Sequence, residues 1–457
     1  MSRKFSKNPI RGMREFYPSD LKELQWVEGI IRDVSELYCY DEFKAPIIEP
    51  VEIFAAKSSE ELVNEQSFII EKKKGERLIL SPELTPSLAR MIANKSQELS
   101  KPIRWFSIPT CFRYERPQRG RARSFRQVNF DILGEESLYA ELEIFNIIID
   151  ILTSFGATSK QFQLCFNNRR FVDAFCELVI NIPKDKMLLV YKIIDKSDKM
   201  EEDEFNKFVR DSFKDESITQ GILKLKDNNT VKELLDKFDK IPEEFYASDG
   251  YNELTLLESM IKDTNLSDYC SFSSSVVRGL DYYTGTVFEL FDTGTENRRS
   301  ILGGGRYDDL LSLFSDERLS GIGFGMGILM LSLFLKTYDL IPDYASKKDY
   351  TDTIYIASID ESVSSYAINI AQILREEDLP CILDYKFKNL KNQLKKASDL
   401  GVLITVIIGS KEMALKKVTV KNMASGVQKT VNIDDLIDEI YEIIDKFEES
   451  LSNGDEE

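Results

Sequence analysis

A chain of 457 residues, 42% hydrophobic and 30% charged, has the length of about three domains and the composition of a globular protein. Its formal net charge of −18 argues against non-specific nucleic-acid binding, although not against a local basic patch. It has no histidine at all, which excludes serine–histidine triads, H-E-x-x-H metal sites and histidine general bases together. Any catalysis therefore rests on positioning, on Arg, Lys, carboxylate or Tyr groups, or on a metal held by oxygen. Six scattered cysteines without a C-x-x-C fit reduced thiols better than a disulfide framework or a zinc site. The apolar runs at 329–335 and 403–408 are too short to span a bilayer, and the basic N-terminus lacks a signal peptide's apolar core. No membrane association and a cytoplasmic location are the expectations.

Residues 8–20 form a proline-bounded opening, N-P-I-R-G-M-R-E-F-Y-P-S-D. From 21 to about 40, Leu24, Val27, Ile31, Val34 and Leu37 recur at helical spacing and predict an amphipathic helix. Residues 43–54 read as extended, with Pro46 and Pro50 placing them at an edge, an interface or a domain margin. In 78–90 a strand ends at Pro82 and a helix starts near Pro86, with Thr85 as its N-cap and Glu83 on the turn, free to face a pocket.

The stretch 113–131, R-Y-E-R-P-Q-R-G-R-A-R-S-F-R-Q-V-N-F-D, places six arginines in its first fourteen positions. Guanidinium at that density in an acidic chain suits phosphate or carboxylate, which the planar fork grips bidentately. A solvated arginine-rich hairpin is the plainer alternative. Ile108, Cys111 and Phe112 lead in, Val128, Phe130 and Ile132 lead out, and Pro117 and Gly120 mark a loop. Two antiparallel strands are expected, with Phe125 offering an apolar ring where the second begins.

Residues 137–155 predict a helix with Ser137 as N-cap and Gly156 as stop. From about 168 to 262 the chain turns rich in lysine and acid with helical periodicity, a helical insertion with solvated charged faces. Residues 271–292 return to strand chemistry around V-V-R-G-L-D-Y-Y-T-G-T-V-F-E-L-F. The glycine runs I-L-G-G-G-R-Y-D-D-L-L (301–311) and G-I-G-F-G-M-G-I-L-M-L (321–331) are each expected to open a helix whose first amides meet an anion. Beyond Pro342, strands at 353–357, 381–384, 403–408 and 418–420 alternate with helices near 361–375, 390–400 and 434–447, an α/β domain. Lysines 386, 388, 391, 395, 396, 416 and 417 give it a basic surface, and the tail 449–457 reads as disordered.

Taken together, five segments in order resemble the histidyl-tRNA synthetase family over nearly the whole chain. P-I-R-G-M-R-E-F-Y-P looks like that family's N-terminal signature, and F-K-A-P-I-I-E-P like the first class II synthetase motif, whose proline lies at the dimer interface. F-R-Y-E-R-P-Q-R-G-R matches the second motif and its ATP loop. R-G-L-D-Y-Y-T-G-T-V-F-E and G-G-G-R-Y-D-D-L are similar to the two segments that set the family apart from its class II relatives. The resemblance implies an α+β core on an antiparallel sheet with flanking helices, in two parts (1–167 and 263–336) around the insertion 168–262. A linker (337–349) and an anticodon-binding-like α/β domain (350–448) would follow, then the acidic tail.

The same resemblance implies a homodimer that joins L-histidine to tRNA(His) at the expense of ATP, with Mg²⁺ on the phosphates. It implies Glu83 and Thr85 at the amino group of bound histidine, with Gln127, Asp131, Arg278, Tyr282, Tyr283 and Tyr307 around the rest. Arg113 would hold the α-phosphate, Glu115 and Arg121 other parts of ATP, and Phe125 would stack on adenine. Arg113 and Arg278 are the implied catalytic pair, on opposite sides of that phosphate. The chemistry is compatible with a histidine-free enzyme, because the substrate's own carboxylate is the nucleophile and no protein base is needed.

One departure is plain: the third class II motif ends G-x-E-R-L, whereas this chain has Leu329 and Met330 in place of the acid and the arginine. Either another cation, such as Arg306 or Arg123, takes that role, or ATP binding is weak. Ser81 also stands where arginine is common. A second class of function stays open on this ground, a catalytically silent paralogue acting as a histidine-binding regulatory subunit. Another class IIa synthetase is disfavoured, because R-G-L-D-Y-Y belongs to the histidine branch.

Overall fold

Val27, Ile31 and Val34 fall on one side of helix α1 (Pro18–Leu37) and are buried there, as their spacing requires. Asp20 accepts a hydrogen bond from the Tyr17 amide at 3.3 Å at the start of the helix. The helix stops at Leu37 rather than near Tyr40, because Cys39 turns to a φ of 56°, which no right-handed helix continues. The computed structural model describes residues 5–55, 63, 65–72, 75–196, 200–278, 282–315, 317–386 and 389–452. Gly279, Leu280 and Asp281, Lys388 and the end of the acidic tail, all invoked above, lie outside these.

Strands β1 (Asp41–Glu42) and β2 (Ile48–Pro50) follow. The extended reading of 43–54 fails at its end, where Val51–Ala55 is a short helix, α2, whose Val51 and Phe54 bury together one turn apart. With β3 (Ile69–Glu71) and β4 (Arg77–Leu80), β2 makes a small antiparallel sheet in the order β2-β4-β3. Helix α3 (Thr85–Lys95) has Leu84 as its N-cap and no capping side chain. Thr85 is thus the first helical residue and not the cap, and its hydroxyl engages Tyr282 instead.

The main sheet takes β5 (Ile103–Ser107), β6 (Thr110–Phe112) and β7 (Ser124–Leu133), with the arginine-rich loop between the last two. Helix α4 (Tyr139–Ser154) begins one residue after Leu138, and Ser137 is not its cap. The Ser137 amide is drawn to Glu135 Oε1 at 2.8 Å, which leaves no capping geometry. Gly156, at a φ of +88°, ends the element as glycine commonly does.

After β8 (Phe162–Asn168) come α5 (Arg169–Phe175), α6 (Met187–Ile194), α7 (Glu202–Ser212), α8 (Glu216–Leu225), α9 (Val231–Asp236), α10 (Glu243–Tyr246) and α11 (Asp249–Lys262). Their inner residues, among them Phe171, Phe175, Phe245 and Leu254, join the same apolar core as the sheet. Strands β9 (Cys270–Phe272), β10 (Thr286–Asp292), β11 (Leu302–Tyr307) and β12 (Gly321–Gly327) then lead into α12 (Ile328–Thr337). The glycine runs are therefore strand interiors, and 301–311 opens no anion-binding helix.

The sheet order is β1-β5-β7-β12-β11-β10-β8-β9, antiparallel from β5 through β8, with β6 also pairing β7. Alternation along the strands gives the sheet two unlike faces. Val128, Phe130, Ile132, Phe324 and Phe288 point into the core with α1 and α4. Phe130 stacks between Phe106 and Phe324, its register partners on β5 and β12, with ring centroids 5.3 Å apart in both pairs. Gln127, Asn129 and Asp131 occupy the other face opposite Gly327, Gly325 and Gly323, and Gly303 and Gly305 continue it on β11.

Residues 346–457 form a separate unit. Its sheet, β13 (Ile354–Ser358), β14 (Cys381–Leu383), β15 (Ile404–Ile408), β16 (Lys417–Asn422) and β17 (Gln428–Asn432), runs in the order β14-β13-β15-β16-β17. Helices α13 (Ser364–Glu376), α14 (Leu390–Leu400), α15 (Ser410–Ala414) and α16 (Leu436–Ser452) accompany it. Ile370, Leu374 and Leu436 pack on Ile356, Val406 and Val420. Among the described residues, no helix is long and apolar enough to cross a membrane.

Candidate active site

The polar face of the sheet is the floor of a cavity of about 690 Å³. Glu83, Thr85, Arg113, Glu115, Arg121, Phe125, Gln127, Asp131, Arg278, Tyr282, Tyr283 and Tyr307 all line it, so the structure brings every expected site residue to one place. The glycines make room for them. A Cβ on Gly303 would lie 2.2 Å from Arg278 Nη1, on Gly323 2.2 Å from Asp131 Oδ1, and on Gly325 2.0 Å from Gln127 Nε2. The side chains of Gln127, Asp131, Arg278 and Tyr283 lie across main chain that carries no side chain of its own.

Asp131 is buried at the deep end and accepts a hydrogen bond from the Tyr307 hydroxyl. Burial pushes its carboxyl up to about 7, against the opposing effect of that hydroxyl. Burial likewise raises Tyr307, and the Asp131 charge adds to the effect. On the adjoining wall Tyr282 packs against Tyr283, ring centroids 4.8 Å apart, and donates to Glu83 Oε2 at 3.4 Å. Thr85 stands beside the same hydroxyl.

The arginine-rich hairpin forms the outer wall. Arg113 donates from Nε to the Pro82 oxygen at 2.9 Å, and its guanidinium sits over the Phe125 ring, 5.3 Å from the centroid. Arg121 pairs with Glu115 at 2.8 Å. Arg278, which also lines the cavity, pairs with Glu289. Burial works against the Arg278 charge, but Glu289 and the neighbouring tyrosines outweigh it, and the pKa is raised.

With this geometry in view, the comparisons are direct. Residues 12–331 match the sequence model of the histidyl-tRNA synthetase family, and residues 353–443 that of an anticodon binding domain. A histidine–tRNA ligase of Leptospira biflexa is 37% identical over 97% of this chain and 99% of its own length. The chain belongs to the histidyl-tRNA synthetase family. The chloroplastic/mitochondrial histidine–tRNA ligase of Arabidopsis thaliana is 33% identical over 95% of this chain and 87% of its own. The crystal structure of histidyl-tRNA synthetase from Nostoc sp. PCC 7120 superposes with a TM-score of 0.71 at 25% identity, covering 96% of this chain and all of the other.

Two readings made for this histidyl-tRNA synthetase fold need correction. Arg306 cannot serve ATP: it is buried on the other face of β11, with Nε on Glu141 Oε1 at 2.7 Å and Nη1 on the Glu135 oxygen at 2.9 Å. Alternation puts it opposite to Gly305 and Tyr307, a consequence of strand register hidden while the run was read as a helix start. Arg123 is also spent, donating to the Glu115 oxygen at 3.2 Å with its guanidinium 4.0 Å over the Tyr114 ring. Two further features carry no sequence motif. Arg298 and Arg299 line the cavity from the β10–β11 connection. Arg169, at the head of the helical segment, is buried and hydrogen-bonds the main chain of 277–283. Neither belongs to a recognisable motif; only the doublet Arg298-Arg299 ahead of the first glycine run offered a signal.

Proposed function

We propose that this chain activates L-histidine with ATP to histidyl-adenylate and transfers the histidyl group to the 3′ end of tRNA(His). One observation carries the reading. Gln127 Oε1, Asn129 Oδ1, Asp131 Oδ2 and Arg278 Nε are shielded from water and have no hydrogen-bond partner among the described residues, and all four residues line the one cavity. Buried polar atoms left unpaired cost about 1–3 kcal/mol each, so a ligand that offers both donors and acceptors is favoured there. Histidine offers an ammonium, a carboxylate and a ring bearing both functions.

In this reading Glu83 and Thr85 take the ammonium, and Asp131 with Tyr307 takes the imidazole. Gln127, Tyr282 and Tyr283 close on the remainder. A ligand without ring nitrogens would strand Asp131, a penalty that can reach about 10⁴-fold. Arg113 and Arg278 flank the α-phosphate, Phe125 stacks on adenine, and Glu115 and Arg121 hold other parts of ATP. The histidine carboxylate attacks the α-phosphorus, the bond to the bridging oxygen breaks, and diphosphate leaves with the electron pair. No proton has to be abstracted, so arginines suffice. Mg²⁺ enters on the phosphates of ATP as part of the substrate.

In the second unit, exposed Lys391 and Lys395 on α14 suit the RNA backbone. A homodimer fits the small sheet, where Ile47, Ile48 and Ile70 are exposed at 49%, 44% and 39%. A cytoplasmic location is part of the same proposal. The regulatory-subunit alternative is not favoured: the relatives called histidine–tRNA ligase align over nearly the full length, anticodon-binding domain included.

Histidine-dependent ATP–pyrophosphate exchange on the purified chain, with Arg278→Ala as control, is the test. Exchange that disappears in the variant supports the ligase. Histidine binding without exchange would favour the regulatory paralogue.

A further inference from the structure

Met330 takes the place of the third-motif arginine, and its side chain has a different job. A Cβ on Gly120 would fall 2.1 Å from Met330 Sδ, so the thioether packs directly under the turn of the arginine-rich loop. It supports that loop and brings no charge. Arg123 and Arg306 are committed elsewhere, as described. Among the described arginines that line the cavity, Arg278 is paired with Glu289 and Arg121 with Glu115.

Arg299 is different. Its Nη1 is shielded from water and has no hydrogen-bond partner among the described residues. Burial lowers its pKa, the neighbouring Arg121 lowers it further, and Glu115 offsets only part of this. Two guanidinium groups thus share one carboxylate at this end of the cavity, and the excess positive charge calls for an anion. The segment that presents Arg299 is anchored on both sides. Asn297 donates to Asp292 Oδ2 at 2.8 Å and Thr337 Oγ1 at 3.1 Å, and accepts from Arg119 at 3.3 Å. Ser300 reaches Glu289 at 3.4 Å. The Arg119 bond also ties this segment to the arginine-rich loop, so Arg121 and Arg299 are held toward one target.

We propose that Arg299 binds the β- and γ-phosphates of ATP together with Arg121, supplying from the β10–β11 connection the cation that the third motif lacks here. The assignment rests on the ligase reading above. When the bond between the α-phosphorus and the bridging oxygen breaks, the new negative charge forms on diphosphate, where two fixed guanidiniums favour its departure.

The test is the kinetics of histidine-dependent pyrophosphate exchange by the full chain carrying Arg299→Gln or Arg299→Lys. The Gln variant is expected to raise KM for both ATP and pyrophosphate by about tenfold or more while KM for histidine stays within about twofold, and the Lys variant to recover part of the loss. Unchanged KM for ATP and pyrophosphate, or an equal rise for histidine, would overturn the assignment. If the wild-type chain shows no exchange, the ligase reading itself fails. Calorimetric titration of pyrophosphate into wild-type and Arg299→Gln protein then decides on Arg299 alone: equal affinities refute it, and a loss of about tenfold in the variant supports it.

Discussion

Arg169 Nη2 donates a hydrogen bond to the main-chain oxygen of Arg278 at 2.7 Å. The same guanidinium reaches the Val277 oxygen at 3.2 Å and the Tyr283 oxygen at 3.1 Å. One buried side chain thus holds both flanks of the segment that carries Arg278, Tyr282 and Tyr283. Arg278 needs the support, because its φ of 57° is unfavourable for a side chain with a Cβ. In Arg169→Lys an ammonium cannot span the three oxygens. We expect kcat of adenylate formation to fall by about 10–100-fold while KM for ATP changes little, as for a group that aligns the reacting pair without gripping the nucleotide. Pre-steady-state adenylate formation checks this, and an effect confined to KM would contradict it.

Asp131 makes the protein without ligand sensitive to pH in a definite direction. Its carboxyl is raised by burial to about 7, so between the ordinary carboxylate range and pH 7 the folded chain holds a proton that the unfolded chain has released. The stability it contributes is present below that window and is lost as pH rises through about 7. Asp131→Asn removes the dependence: without histidine the variant should gain on wild type between pH 5 and 8, by at most about 3 kcal/mol, and lose histidine binding. Urea melts across that range measure it, and a wild type that gained stability relative to the variant over this range would contradict the assignment.

The glycines of β12 separate two kinds of steric damage. A Cβ at Gly325 meets mainly the end of the Gln127 side chain, which can move aside. A Cβ at Gly323 meets Asp131 Oδ1 at 2.2 Å and also the Phe130 main-chain oxygen at 2.5 Å, which cannot. Gly325→Ala should fold normally and raise KM for histidine by about tenfold or more, whereas Gly323→Ala should also lose about 2 kcal/mol or more of stability. Thermal melts alongside exchange kinetics tell the two apart.

Arg306 and Glu141 test the corrected reading of a buried cation. Glu141 is fully buried, so Arg306→Ala leaves a carboxylate with no compensating charge, at a cost of about 3–5 kcal/mol. The double replacement Arg306→Met with Glu141→Leu should cost much less. Denaturation of the three proteins gives the answer, and a double variant as damaged as the single one would refute it.

Much of the fold can be read from local pattern. The helix expected at 390–400 is α14 to the residue, and the strands around the arginine-rich loop pair as alternation requires. What could not be read depends on partners far along the chain. The glycine runs look like helix starts when taken alone; only the second opens one, at Gly327, and the glycines themselves lie in strands because β12 pairs with β7 some 190 residues earlier and with β11 on its other side. Strand β17 escaped notice because its side chains are mostly exposed and leave no apolar alternation. Arg169 sits in an ordinary-looking helical stretch, and its role exists only once Val277, Arg278 and Tyr283 are folded against it.

The glycine floor also limits how the specificity of this pocket could be redesigned. A pocket bounded by side chains can be widened by trimming them, and looser selection for bulkier ligands is within reach of single substitutions. Here the floor beneath Asp131, Gln127 and Arg278 is already peptide backbone at Gly323, Gly325 and Gly303, and nothing remains to be cut away. A substitution on the floor can only make the pocket shallower. A variant intended for a larger amino acid has to be sought among the wall residues of β7 and among Val277, Tyr282 and Tyr283.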